Sequence, residues 1–461
     1  MAKTLGDIID VAVGLKRRKE WLKALKIYRL IFEAAPFDSE IRLDISDAIM
    51  ALGFQDLAEL AYEETCKFAA RAGYPLLAID AAKKLSAIEN WEPLRQATPL
   101  TPASSRNKGE QMLHMIAQLY GSDSTILGKT TRLAPVDRQV PVQENVDLDF
   151  PVQPDSLART TVELMIKTSE TTPFPSTLPP IPILSDLPPE LFVKFLAEVS
   201  LIELESGKTI LLEGEEASTF YMIIRGRVSI WKAGPTGKRI NLASLGEGSI
   251  FGEMALITQL PRTANVETTT ETHLLEFQKS RLEELSKDSI VIEAALERFT
   301  RERLIGNLLA TNPIFQPFDK KQRYELLTRF TAHEVTPGTI LVRSNQEGRG
   351  LYIILYGSVD VLKQENGKEI LIATLHSGDI FGEISLIKDT PTTATVRAAT
   401  HSTILFLPKE YFQKLVESIP HLKEYFAKLS EERLTMAEKV VARAREMEEQ
   451  SIIQEDELII I

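Results

Sequence analysis

The stretch Gly248-Ser249-Ile250-Phe251-Gly252-Glu253-Met254-Ala255-Leu256, followed by Pro261-Arg262-Thr263-Ala264-Asn265-Val266, decides how this chain is read. Gly252 lets the backbone come close to a ligand and adopt angles that other residues avoid. The turn after it exposes unpaired amide N–H groups at the start of a helix, a natural anion seat. Arg262 can fork onto two phosphate oxygens, a charge-assisted contact stronger than a neutral one. Glu253 is acceptor-only when ionised, so it suits a ribose 2′-hydroxyl and repels a bare phosphate. The bland alternative is a structural Arg262–Glu253 salt bridge, a kind of contact that contributes below about 1 kcal/mol at a surface. Taken together, the residues describe an anionic sugar-phosphate with a free 2′-hydroxyl, and a cyclic mononucleotide fits.

Working outward, the flanking sequence after residue 183 consists of short β-prone runs broken by Gly, Asn and Pro, the mark of an all-β unit. The unit occurs twice. Phe251-Gly252-Glu253 returns as Phe381-Gly382-Glu383, 130 residues later, and Tyr221-Met222-Ile223-Ile224 returns as Tyr352-Ile353-Ile354-Leu355 at an offset of 131. Helical segments open each copy (Pro189 to Val199; Lys320 to Phe330) and close it. The expected fold class is multidomain α+β, with two β-roll or jelly-roll domains over 183–310 and 311–425 and a helical tail over 426–461.

The cassette resembles the phosphate-binding cassette of the cyclic-nucleotide-binding domain family. That family includes protein kinase A regulatory subunits, cyclic-nucleotide-gated channels and the bacterial catabolite activator protein. The resemblance covers roughly residues 183 to 425. It implies that Glu253 takes the ribose hydroxyl, Arg262 the cyclic phosphate, and the N–H groups around Met254 and Ala255 the remaining oxygens. Gly252, Thr263 and Ala264 complete the implied ligand-binding set, with Thr263 in reach of phosphate or base. The Arg-Thr pair occurs in binders of cyclic AMP and of cyclic GMP, and cyclic AMP is preferred here as the commoner ligand. Phe299 and Leu304 are the candidates to cap the base.

The second copy departs at the decisive place, because Thr392 stands where the first copy has Arg262. A hydroxyl supplies one neutral hydrogen bond and no charge. Gly382, Glu383, Thr392 and Thr393 are therefore expected to form at most a weak second site, in a roll kept for packing, for dimer formation, or as an element against which the first moves.

At the N-terminal end, Ala24-Leu25-Lys26-Ile27-Tyr28 returns as Ala58-Glu59-Leu60-Ala61-Tyr62, and 58 − 24 gives a period of 34. That period, with a small residue and an aromatic four apart, resembles the tetratricopeptide repeat; an ordinary helical bundle is the alternative. The repeat region is expected over 5–90 as a protein-interaction module. Residues 91–182 turn to Pro, Ser, Thr, Gln and Asp, and are expected to form a mostly mobile linker that lets the halves move independently. Within it, Glu110 to Tyr120 has the pattern of a short amphipathic helix able to dock on a partner or back on the protein.

The totals set the outer limits. Among 461 residues, 53 basic against 65 acidic side chains leave a net charge of −12, which disfavours whole-surface nucleic-acid binding. The lone Cys66 forms no internal disulfide, and the six histidines are too scattered for a ligand pair, so no metal and no cofactor are expected. Neither a secretory signal nor a membrane-length apolar run is read, which points to a cytoplasmic location. Kinase motifs, a P-loop and a cyclase carboxylate pair are missing, and no helix-turn-helix follows the rolls. The linker has no Arg-Arg-x-Ser inhibitor sequence. The expectation is a non-enzymatic sensor-adaptor: a cyclic mononucleotide in the first roll, an unidentified protein partner through the repeat or tail, and a homodimer as one assembly to test. An assembly scaffold that binds no nucleotide is the rival.

Overall fold

The computed structural model describes residues 3–89, 108–128, 132–134, 137–142, 148, 150–233, 238–254, 261–365 and 367–458. The described residues fall into two compact units, one up to Phe299 and the other from Thr300 onward.

The first unit begins with five helices, each packed on the next: α1 (Leu5–Arg17), α2 (Trp21–Ala34), α3 (Ser39–Ala51), α4 (Gln55–Arg71) and α5 (Pro75–Glu89). Local chemistry sets their ends. Thr4 and Asp7 form a reciprocal capping box at α1, and Asp38 accepts from the N–H groups of Glu40 and Ile41 at α3. Gly53 turns the chain between α3 and α4 at φ +87°, where a side chain would be strained. The paired residues of the 34-residue period, Ala24 with Tyr28 and Ala58 with Tyr62, are all buried in the shared core.

The region expected to be a mobile linker is, where described, part of that core. Helix α6 (Lys108–Tyr120) docks on α5, and α7 (Pro154–Thr171) packs against α4 and α2. Met112, Leu113 and Ile116 of α6 and Leu157, Val162 and Met165 of α7 are buried, each such burial being worth roughly 1.5–3 kcal/mol. Tyr120 donates its hydroxyl to the Ala70 carbonyl at 2.6 Å. Averaged composition hid α7, whereas α6 is the amphipathic helix expected over Glu110 to Tyr120, docked back on the protein. Pro154 starts α7, where its missing N–H costs nothing. The Thr98–Pro102 part of the expected linker lies outside the described residues.

Helix α8 (Pro189–Ala197) leads into the first roll, formed by β1 (Ser200–Leu204), β2 (Thr209–Leu211), β3 (Thr219–Arg225), β4 (Val228–Ala233), β5 (Arg239–Leu245), β6 (Ile250–Phe251), β7 (Asn265–Thr268) and β8 (Thr272–Gln278). They make two antiparallel four-stranded sheets, ordered β1-β8-β3-β6 and β2-β7-β4-β5. Helix α9 (Lys279–Asp288) follows, then α10 (Ile290–Thr311). Phe299, a candidate base cap, is instead buried and stacked on Phe220 at 6.0 Å between ring centres. Leu304 is buried too.

The second unit repeats the plan. After α11 (Lys320–Leu327) come β9 (Thr331–Val335), β10 (Ile340–Val342), β11 (Gly350–Tyr356), β12 (Ser358–Glu365), β13 (Lys368–His376), β14 (Ile380–Phe381), the short helix α12 (Glu383–Lys388), β15 (Thr395–Ala398) and β16 (Ser402–Pro408). The sheets run β9-β16-β11-β14 and β10-β15-β12-β13, the same order as in the first roll. Two helices close it, α13 (Lys409–Ser418) and α14 (Pro420–Leu458). The expected separate tail from residue 426 is the continuation of α14. Leu422 and Phe426 are buried, and Phe426 meets Phe412 edge-on at 5.0 Å, so the start of that helix belongs to the roll.

Candidate functional site

In the first roll the cassette forms where β6 ends. Tyr221 and Phe251 stack at 5.3 Å, which fixes the strand end from which Gly252 turns with φ +83°. An added Cβ there would lie 3.0 Å from Arg262 Nη1 and 3.1 Å from Leu211 Cδ1, so the position needs glycine for space as well as for angle. Glu253 follows at once and is 6 % exposed.

Arg262 reaches the same place from the other side. Its backbone is clamped in a two-bond ladder, with Arg262 N–H donating to Glu215 O and Gly214 N–H donating to Arg262 O, each at 2.8 Å. Its guanidinium donates through Nη1 to Gly252 O and through Nη2 to Thr219 O, both at 2.6 Å, with Thr219 Oγ1 at 3.2 Å. Only 5 % of the residue is exposed. Burial pulls this guanidinium below its usual pKa, opposed by Tyr221, Glu215 and Glu253. Among the described residues no carboxylate is ion-paired to Arg262, Glu253 included. The salt-bridge alternative therefore has no support. What stands in the roll is a buried cation oriented by neutral carbonyls, an arrangement that strengthens attraction to an incoming anion.

The structure brings Gly252, Glu253 and Arg262 together as expected. Met254 is half-buried at the start of the helix, Thr263 is exposed and Ala264 half-buried beside the arginine. Ala255 lies outside the described residues.

In the second roll the framework is the same and the chemistry differs. Tyr352 and Phe381 stack at 4.8 Å, Gly382 takes φ +89°, and Thr392 sits in the matching ladder, its N–H on Gln346 O and its carbonyl accepting from Asn345 N–H. Its hydroxyl donates to Arg343 O at 2.6 Å and accepts from Gln346 N–H at 3.0 Å. Thr393 is exposed next to it. Glu383, 1 % exposed, meets Arg433 of α14 at 2.8 Å, and Arg433 also donates to Ile380 O. Burial raises the Glu383 pKa, and Arg433 opposes that shift. This pairing was not read from the sequence. Arg433 lies 50 residues beyond its partner, and only the packing of α14 joins them.

Residues 201–289 and 332–418 each match the family described as cyclic nucleotide-binding domain. The two β-rolls are tandem cyclic nucleotide-binding domains. Among curated relatives, the chain is 31 % identical over 221 residues to the cAMP-dependent protein kinase regulatory subunit of Yarrowia lipolytica, covering 48 % of this chain and 55 % of the relative. With the protein of that name from Schizosaccharomyces pombe the identity is 29 % over 222 residues, covering 46 % and 52 %. The chain thus spans about half the length of these relatives. A solved structure of the regulatory domain of Toxoplasma gondii PKA with cAMP matches at 24 % identity and a TM-score of 0.26, over 54 % of this chain and 92 % of that one.

Three acidic or imidazole groups outside the rolls' cassettes also cluster. Asp80, Glu203 and His273 lie close enough to share a cation, but Lys84 Nζ stands 2.9 Å from Glu203 and 3.8 Å from Asp80 and supplies the charge itself.

Proposed function

We propose that the first roll binds a cyclic mononucleotide, cyclic AMP in preference to cyclic GMP, and that the protein is a non-catalytic regulator that passes this occupancy to a protein partner. The observation that carries the reading is Arg262: a buried guanidinium, aimed by Gly252 O and Thr219 O, with no carboxylate among the described residues paired to it. A cyclic phosphate supplies the missing negative charge. Glu253, one residue from Gly252, is the acceptor for the ribose 2′-hydroxyl. The N–H groups around Met254 and Ala255 take further phosphate oxygens, with Thr263 and Ala264 at the rim. The preference for cyclic AMP rests on the names of the relatives, which are cAMP-dependent regulatory subunits.

Those names also make a protein kinase catalytic subunit the first partner to test. The chain lacks an Arg-Arg-x-Ser sequence in residues 91–182, so such a partner is held by other surfaces, with the α1–α5 module and α14 as the elements to examine. Ligand can drive a response only through a difference in affinity between two conformations. A thermal-shift titration with both cyclic nucleotides tests the site. The melting temperature of wild type should rise, more with cyclic AMP, and that of Arg262→Ala should stay flat. Equal shifts in both proteins would refute the assignment.

A further inference from the structure

Between α6 and α7 the chain returns over the helical module as an extended strap, and the bonds that hold it read its main chain. Leu133 N–H donates to Ala72 O at 3.0 Å, and Leu133 O accepts from the Tyr74 hydroxyl at 2.6 Å. Leu5 N–H and Gly6 N–H donate to Val140 O and Arg138 O at 2.8 and 2.9 Å. Lys26 Nζ on α2 donates to Leu148 O and to Phe150 O, both at 2.7 Å. Side chains contribute less. Val140 is 40 % and Phe150 62 % exposed, whereas α6 and α7 on either side bury their apolar faces. Main-chain carbonyls are the same on any extended peptide, so this kind of contact can be exchanged for another chain, with side-chain pockets setting the choice.

The groove that Leu148 and Phe150 border defines that choice. It encloses about 540 Å³, with Trp21, Leu22 and Leu52 as its wall on the helices. Lys19, Lys23 and Lys26 outnumber Glu20, the one acid among the described residues that line it. The strap fills it incompletely, since its largest side chain, Phe150, stays mostly in solvent. Its own sequence there, Val146-Asp147-Leu148-Asp149-Phe150, alternates apolar and acidic residues, a two-residue period suited to an extended chain. An apolar wall with a lysine rim complements that pattern in both shape of polarity and charge.

We propose that this groove docks an extended segment of a partner protein in which acidic and apolar residues alternate around an aromatic, and that residues 148–152 hold the place until the partner displaces them. The proposal rests on the reading of the chain as a regulator with a protein partner. Its test uses no cyclic nucleotide, so failure here leaves the assignment of the first roll standing.

The experiment is fluorescence anisotropy with a labelled peptide of residues 144–152, titrated with the full chain. Two forms are compared, wild type and a released chain carrying Leu148→Lys and Phe150→Lys, whose added charges the lysine rim repels. Wild type should bind weakly, because its own strap must first leave, and the released chain should bind about tenfold more tightly or better. Adding Lys26→Glu to the released chain should reverse the gain. A peptide with Asp147→Asn and Asp149→Asn should bind less tightly and with a flatter salt dependence. Equal affinity of wild type and released chain would overturn the proposal, as would no binding by the released chain up to millimolar peptide. Binding indifferent to Lys26→Glu would do the same. A released chain that no longer melts cooperatively would make the strap part of the core. A wild-type dimer in light scattering that the two new lysines dissociate would assign the groove to the strap of a second copy. Either of these last results refutes partner docking.

Discussion

His273 on β8 and Asp80 on α5 share a hydrogen bond of 2.6 Å, Nδ1 to Oδ2, with neither side chain accessible to solvent. Charges gather around the pair. His273 Nε2 lies 3.4 Å from Glu271, which also takes Lys16 at 2.6 Å, and Lys84 binds Asp47 at 2.8 Å. Arg225 forks onto Asp44 at 3.0 and 3.2 Å. The helices and the first roll are therefore joined through paired, buried charges. The expectation of independent halves fails on that contact, because a displacement of β8 is felt directly by α5.

The pair makes stability depend on pH. Burial lowers the His273 pKa, but Asp80 and Glu271 more than reverse this, leaving it raised. A folded pKa above the unfolded one gives stability that is complete below about pH 6.5 and lost as pH rises through the folded value. On the acid side the opposite holds. Despite burial, Glu271 is held far below the usual carboxylate range by His273 and Lys16, and Asp47 by Lys84 and Lys16. Their contribution is lost as pH falls through the folded values. Thermal melts of wild type should fall off on both sides, and Asp80→Asn should remove the alkaline slope at a cost of roughly 3–5 kcal/mol.

For the first cassette, Arg262→Ala should weaken cyclic-nucleotide binding by about 2–4 kcal/mol, because the anion loses its main partner. Arg262→Lys keeps the charge but loses the fork that spans Gly252 O and Thr219 O, so it should recover only part of the loss. Calorimetric affinities for the three proteins check the order.

Gly252→Ala acts on both stability and binding. Forcing a side chain into φ +83° costs roughly 1–2 kcal/mol, and the new methyl group pushes on Arg262 Nη1. Gly382→Ala should cost more stability, since its methyl group would meet a backbone oxygen, Gly350 O, at 2.7 Å. Denaturant melts of both variants, with a ligand titration of the first, separate the effects.

In the second roll, Arg433→Met should destabilise by roughly 3–5 kcal/mol at neutral pH, because Glu383 is then buried without its partner. The raised Glu383 pKa means that its ionisation opposes folding as pH rises through the folded value, so acid should relieve the defect. Glu383→Gln added to Arg433→Met should relieve it as well, by removing the charge. Urea melts of the single and double variants at two pH values decide this.

Much of this organisation was legible in the residues. Repeated Tyr-x-Ile and Phe-Gly-Glu segments at offsets of 131 and 130 set two rolls in register, since apolar strand residues and positive-φ glycines act locally. Arg262 beside Glu253 marked the cassette for the same reason. The helix at α6 was legible from its amphipathic spacing, but the rest of the linker was misread because composition was averaged over a window that contained α7.

What the sequence by itself determined is the inventory of each roll: strand pattern, turn glycines, and the loss of the arginine at Thr392. Tertiary structure alone decided which charges meet. Asp80 and His273 are 193 residues apart, and Glu383 and Arg433 are 50 apart. Neither pairing has a local signature, because a buried ion pair is specified by the packing that excludes water around it and not by spacing along the chain.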